Sequence, residues 1–551
     1  MHISKINCKK KNGNSYSTIL VQESYRTDKG PRKKTLANIS HLPQNYISAL
    51  EKMVDLERNG KRAKVVEDIT LPAKIDKTLE GRSLQWGGIA VFLEFLKRSG
   101  LDAALNVMPF KTKKYVIATI AQRIFQPDSK LQLQNWIKET LLPEALGTPF
   151  SSFNEDKIYR TMDEFEPYQS QIEKVLFKHK PESDMQMVMY DLSSIYTEGS
   201  KGCPLHKFGK SSNHRQDRKQ VFIGLVTDKN GMPVTFHLLR GNRTSVKSLV
   251  PCMEKIKRRF GIEKVTIISD GGFASETNMD FLIENGYSYL TRVNSERIKS
   301  LLDESKVEIQ EDIFDKQFQV FRYDNKRYCL CYSESREMRD TSRRKSRIKR
   351  LLDEYRRFKP GKKTITRQTE ILTKKLIKTK TAKYFSIEED KEKNRVRVKI
   401  NKDVIRTEME FDGKYLLVCT DETIVDDKIL YSYKQLKNIE DNFKIIKSIF
   451  KARPMYHWKA KRIHGHLMIC FLSLWLERWL ENYMLVHNIK ESPVRMFRDL
   501  QRIEQAMINI GETKQRLPLN VMLNITEDRR EILNEINCLQ IVKKGCKLKV
   551  N

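Results

Sequence analysis

The stretch from Met187 to Val293 decides the fold. It opens with MVMYDLSSIY, an apolar strand-like run that carries one acid, Asp191. Two more strand-like runs, KQVFIGLVT and MPVTFHLLR, are joined across Asp228-Lys229-Asn230-Gly231, and Asn-Gly is a strong hairpin signal. A helical pattern, SVKSLVPCMEKIKRRFG, ends at Gly261, and the β-branched run VTIISD then delivers Asp270 before the Gly271-Gly272 turn. A second helix, Glu276 to Asn285, stops at Gly286, and YSYLTRV reads as a fifth strand. The order is β-β-β-α-β-α-β, with one carboxylate on the first strand and one at the tip of the fourth. Either acid alone would read as a turn cap or a loop residue. Burying an unpaired carboxylate in a strand core is costly, so the two together, in this element order, point to a bound metal.

That order is the order of the RNase-H-like fold, in which the two acid-bearing strands lie side by side. The expected architecture is α/β: an RNase-H-like core, a mixed five-stranded sheet with helices, is interrupted by a β-rich insertion. A small N-terminal α+β module and helical regions flank it.

Composition narrows the partner. Lys and Arg outnumber Asp and Glu by 103 to 70, a net charge of +33 that points to a polyanion, with nucleic acid the default. A membrane surface is disfavoured. MHISKINCKKKNG is polar almost from its start, and LMICFLSLWL is about half of what a bilayer span needs. The expected location is the cytoplasm, with no membrane partner. Nine cysteines form no CxxC pair, which excludes a disulfide framework or zinc ribbon, and Cys203, His206 and His214 make a weak zinc set.

Six segments are expected in 551 residues. Residues 1–82 form a small basic module for DNA binding, with strands in YSTILVQESYR and RKKTLANIS and a helix from Tyr46 to Arg58. Residues 83–183 form a helical region for DNA-end binding or dimerisation. Residues 184–293 hold the first part of the core, and 294–423 the β-rich insertion with a very basic helix, SRRKSRIKRLLDEYRRFKPGKK. Its Arg343, Arg344, Lys345, Arg347, Lys349 and Arg350 are candidates for phosphate contact; the competing reading is a solvated face. Residues 424–490 complete the core, including an apolar helix expected to pack behind the sheet, with His464 and His466 structural. Residues 491–551 are read as helical and basic.

A metal site of this kind needs a third carboxylate from the helix after the fifth strand, and Glu440 is the candidate. On one continuous helix, at about 100° per residue, Tyr433 and Lys447 lie within about 20° of its direction. An ordinary amphipathic helix is the competing reading. Glu198 and Glu276 sit in the wrong elements, and Glu477 lies on the apolar helix.

At these residues the chain resembles the DDE-type transposases of bacterial insertion sequences, in the subgroup with a Y-x2-R-x3-E-x6-K signature. Tyr433, Glu440 and Lys447 match, and Leu436 stands where the signature has Arg. MYDLSSIYTEG, the SDGGF turn and the β-strand insertion extend the likeness. The resemblance implies Asp191, Asp270 and Glu440 as catalytic, metal-holding residues for two Mg²⁺ ions, with Mn²⁺ able to substitute. It implies that Tyr433 and Lys447 grip the phosphate beside the scissile bond, and Lys437 is expected to replace the missing Arg. The partners are double-stranded DNA, as element ends and as target, and a second copy in a synaptic homodimer. The same resemblance implies a DNA hairpin during excision and a location with the bacterial nucleoid. Another RNase-H-like nuclease, or a DNA-binding protein whose catalytic centre has decayed, are the alternative readings.

Overall fold

In the computed structural model, the described residues are 2–9, 15–27, 30–40, 47–48, 50–51, 80–181, 187–199, 201–209, 215, 217–243, 246–262, 265–294, 297–310, 313–359, 361, 363–379, 381–510 and 517–546. Asp28-Lys29, His214, the linker before residue 80 and most of the expected helix from Tyr46 to Arg58 lie outside them. The chain divides into two units: one holds residues 1–181, 446–452 and 457–551, the other 182–445 and 453–456.

In the first unit, β1 (His2–Lys9), β2 (Ser15–Thr27) and β3 (Gly30–Asn38) form an antiparallel sheet, one strand more than its polar opening suggested. Ile19, Ile39 and Ile47 make its small core. The apolar helix Ala460–Val486 is buried on every side over most of its length, as a helix without a polar face must be. It packs against the helices Phe110–Phe125 and Glu155–Asp163. The C-terminal segment departs further from expectation. Besides helices it contributes two strands, Glu504–Ile510 and Leu517–Leu523, which pair with each other and with β4 (Glu80–Gln85).

The second unit is built on an eight-stranded sheet. β5 (Met187–Tyr196), β6 (Gln220–Asp228) and β7 (Pro233–Arg240) form an antiparallel meander. The Asn-Gly hairpin closes as expected: the buried Asp228 carboxylate accepts from the backbone N–H of Asn230 and Met232, both at 2.9 Å. The helices Val246–Phe260 and Glu276–Glu284 then carry the chain to β8 (Thr266–Ser269) and β9 (Ser288–Arg292). β8 lies parallel to both β5 and β9. All of β8 is buried, and its sequence, two isoleucines between small hydroxyl residues, shows no polar face. The five strands stand in the order β7-β6-β5-β8-β9, the RNase-H-like arrangement.

The insertion is only partly a separate body. β10 (Phe318–Tyr323) and β11 (Lys326–Tyr332) meet at Asp324-Asn325, both with positive φ as a tight hairpin turn requires. β12 (Phe385–Asp390) and β13 (Arg395–Ile400) follow, then β14 (Lys414–Cys419). β14 pairs antiparallel with β9, so β14, β11 and β10 extend the core sheet. Only the β12–β13 hairpin stands apart. With the helices Glu334–Arg356 and Ile365–Lys378 it encloses a core of Leu351, Leu376, Tyr384 and Phe385.

Candidate active site

The parallel register aligns the two strand aspartates. Met187 pairs with Thr266, Val188 with Ile267 and Met189 with Ile268, so two residues further on Asp191 stands level with Asp270. Asp270 keeps an extended backbone, φ −73 and ψ 158, so the alternation of faces carries through to it. Adjacent strands are about 4.8 Å apart, which makes the pair neighbours on one face. Asp191 Oδ1 accepts the N–H of Leu192 at 2.7 Å. Asp270 Oδ1 accepts the N–H of Gly271 at 2.8 Å and opens a single 3-10 turn. Position 271 requires glycine, because a Cβ there would lie 2.8 Å from the Arg292 carbonyl oxygen.

Asp270 has two further partners. Arg292 Nη2, at the end of β9, is 3.3 Å from Oδ1, and the Tyr433 hydroxyl donates to the same oxygen over a long 3.4 Å. Burial pushes the Tyr433 phenol well above its ordinary pKa, and the Asp270 charge adds to the effect, so the hydroxyl stays a donor.

Glu440 is placed differently from its partners in the signature. The long helical pattern divides into Ile429–Lys434, which carries Tyr433, and Leu436–Lys444, which carries Glu440. Lys447 falls in a π-helical segment, Ile445–Ile449. Tyr433, Glu440 and Lys447 thus fall in three successive helical segments and not on one uninterrupted α-helix. The Leu436–Lys444 helix buries Ile439, Asn442 and Phe443, leaving Lys437, Glu440 and Lys444 exposed. Asn438 donates to the Lys229 carbonyl at 3.0 Å and Asn442 to the Gly231 carbonyl at 2.7 Å. Both anchors lie on the β6–β7 hairpin, beside Val188 and three residues before Asp191 on β5. That separation is roughly 10 Å along a strand. Among the described residues no three His, Cys, Asp or Glu side chains are close enough to share a metal ion. The two aspartates are aligned, and Glu440 is not grouped with them.

Beside Asp270 lies a cavity of about 220 Å³ whose lining includes Gly271, Arg292, Asn294, Arg336 and Tyr415. The Arg336 guanidinium sits 5.0 Å from the Tyr415 ring centroid, and Tyr415 and Tyr433 stand 6.4 Å apart. Sequence reasoning missed Arg292, Arg336, Tyr415, Asn438 and Asn442. Arg292 closing the fifth strand was the one available signal. An open cleft of about 530 Å³ in the first unit, with Arg498, Arg502 and Arg529 in its wall, has one lining carboxylate, Glu504, and no aligned pair.

Along the basic helix the predicted contacts separate into two kinds. Arg343, Lys345, Arg347, Lys349 and Arg350 are exposed. Arg344 is 8% exposed and forks onto Asp412, with Nη1 2.8 Å from Oδ1 and Nη2 bonded to Oδ2. Its charge is used by the fold, which removes it from the proposed DNA-contact set.

The family described as "Transposase DDE domain" matches residues 182–476. No curated protein sequence matches. Among solved structures, the cryo-EM structure of a piggyBac transposase synaptic complex with hairpin DNA is similar at 10% identity and a TM-score of 0.38. The likeness covers 75% of this chain and 76% of that one, too slight to carry an inference. No helix among the described residues is long and apolar enough to cross a membrane.

Proposed function

The chain belongs to the DDE-domain transposases, and from that premise we propose that it binds the inverted-repeat ends of an insertion sequence, cleaves them and joins the freed 3′-OH to target DNA. The observation that carries this reading is the register of β5 and β8, which sets Asp191 level with Asp270 on two adjacent central strands of an RNase-H-ordered sheet.

Enzymes of this family work with divalent metal ions, and Mg²⁺ is the proposed ion here, with Mn²⁺ able to replace it. The donor set fits in chemistry: two aligned carboxylates offer hard oxygen ligands of the kind Mg²⁺ takes. Asp191 and Asp270 would hold the metal, with Glu440 on the adjoining helix as the proposed third ligand. A divalent metal held there would supply Lewis-acid neutralisation of the charge that develops on the phosphoryl group.

The chain's own residues do the rest. The Leu192 and Gly271 amides and the Tyr433 hydroxyl each donate to an aspartate oxygen and fix its direction. Tyr433, Lys437 and Lys447, with Arg343, Lys345, Arg347, Lys349 and Arg350 of the basic helix, are the proposed DNA contacts. Water attacks first and frees a 3′-OH; that hydroxyl then attacks a second phosphodiester, so no covalent protein intermediate is needed. A homodimer holding two ends, in a bacterial cell, belongs to the same proposal. The test is a duplex ending at the boundary of the DNA segment that encodes the chain, incubated with Mg²⁺ and a supercoiled target. Nicking at the boundary and joined product are expected. Nicking without joined product would favour a nuclease of the same fold, and binding without nicking a decayed site.

A further inference from the structure

The signature position that would supply an arginine holds Leu436, yet Arg292, which contacts Asp270, shares a cavity wall with a second arginine, Arg336. Arg292 comes from the end of β9, and Arg336 from the first turns of the Glu334–Arg356 helix, far away in sequence. Both line the cavity of about 220 Å³, with Asn294 and the Tyr415 ring between core and insertion elements. Neither is fully neutralised. Arg292 reaches Asp270 at 3.3 Å, and Arg336 reaches Asp340 at 3.8 Å. Burial, and then the Arg292 charge, lower the Arg336 pKa from its ordinary value. Two partly buried cations facing one small cavity repel each other unless an anion lies between them. The cavity is too small for a large ligand, and guanidiniums fork onto phosphate oxygens with matched geometry.

We propose that Arg292 and Arg336 form a phosphate clamp that holds one DNA phosphodiester next to Asp270 and takes the part of the arginine absent at position 436. Tyr415 supports the clamp by lying 5.0 Å beneath the Arg336 guanidinium. Lys437 offers only a point charge on the exposed side of its helix. The inference rests on the transposase reading for the identity of the phosphate, but its test does not depend on cleavage.

The test measures affinity by fluorescence anisotropy for the same boundary duplex, with single phosphates replaced in turn by neutral methylphosphonates. For the wild-type chain, one position near the cleavage point is expected to cost about tenfold, the size of a lost hydrogen bond to a charged group. Arg336→Ala should weaken the unmodified duplex by a similar factor and be insensitive at that position, within about twofold. Arg336→Gln keeps a stem against Tyr415 and should behave the same way, so a folding defect in the alanine variant does not decide the outcome. Equal sensitivity in wild type and both variants at every position would overturn the clamp. So would loss of that sensitivity in Lys437→Ala but not in Arg336→Gln. A wild-type chain that binds but never nicks would refute the transposition chemistry and leave this measurement to decide the clamp alone.

Discussion

The hydroxyl of Tyr433 donates to Oδ1 of Asp270 across 3.4 Å, although the two residues are 163 positions apart. The contact ties the first half of the core to the helices that follow the insertion. Tyr433→Phe removes the donor and little else. We expect the cleavage rate to fall about fivefold, in line with roughly 1 kcal/mol for a neutral hydrogen bond, while the melting temperature holds. An unchanged rate would show that the contact does not orient Asp270 during the reaction.

Asn442 is fully buried and gives its amide N–H to the Gly231 carbonyl at 2.7 Å. Gly231 itself has φ +83, and a Cβ there would press on Asn438 at 2.9 Å. The hairpin turn and the Glu440 helix are therefore fitted to each other. Asn442→Ala should cost about 1–3 kcal/mol by stranding a buried carbonyl and should slow cleavage more than it weakens DNA binding. Equal losses in a gel shift and a nicking assay would break the link between this anchor and Glu440.

Arg344 and Arg347 lie three positions apart on the basic helix and should respond in opposite ways. The Arg344–Asp412 pair is 8% and 7% exposed. Arg344→Ala is expected to destabilise the fold by about 3 kcal/mol, because it leaves Asp412 buried without its partner. Arg347→Ala should leave melting unchanged and lower the slope of log affinity against log salt by about 0.9. The reverse pattern would return Arg344 to the DNA-contact set.

His237 gives the acid limb a sign. Burial, then the Lys255 and Arg259 charges, push its pKa down to about 3. The unfolded chain binds that proton near pH 6.5, so the folded state takes it up less readily. The stabilisation is complete above about pH 6.5 and is lost as the pH falls towards 3. His237→Gln, which keeps an acceptor for Lys255, should flatten the decline in melting temperature between pH 6.5 and 4.5. Identical slopes in the two proteins would contradict this.

What the sequence disclosed follows from how local each signal is. The Asp228–Gly231 turn, the helix stops at Gly261 and Gly286, and the strand-tip position of Asp270 depend on neighbouring residues, and all are legible. The pairing of β14 with β9 joins segments across the whole insertion, and the apolar run YLLVC announces a strand without naming its partner. The strand Leu517–Leu523 contains Pro518, which argues against a strand when read alone. At the site, periodicity in residues 424–450 predicted one helix. The break at Gln435 and the π-helical Ile445–Ile449 segment carry no composition signal, so the division of the helix was not legible. Arg344 read as one cation among many because its partner, Asp412, is 68 residues away.

The most direct test of the central claim compares DNA binding with cleavage in Asp191→Asn, Asp270→Asn and Glu440→Gln, each measured on one boundary duplex with Mg²⁺. These carboxylates are assigned to metal and not to DNA, and removing a negative charge should not loosen a grip on phosphate. The account predicts that every variant keeps its affinity within about threefold in a gel shift while nicking falls below detection. Binding and nicking that decline together, or nicking that survives in any of the three variants, would contradict it.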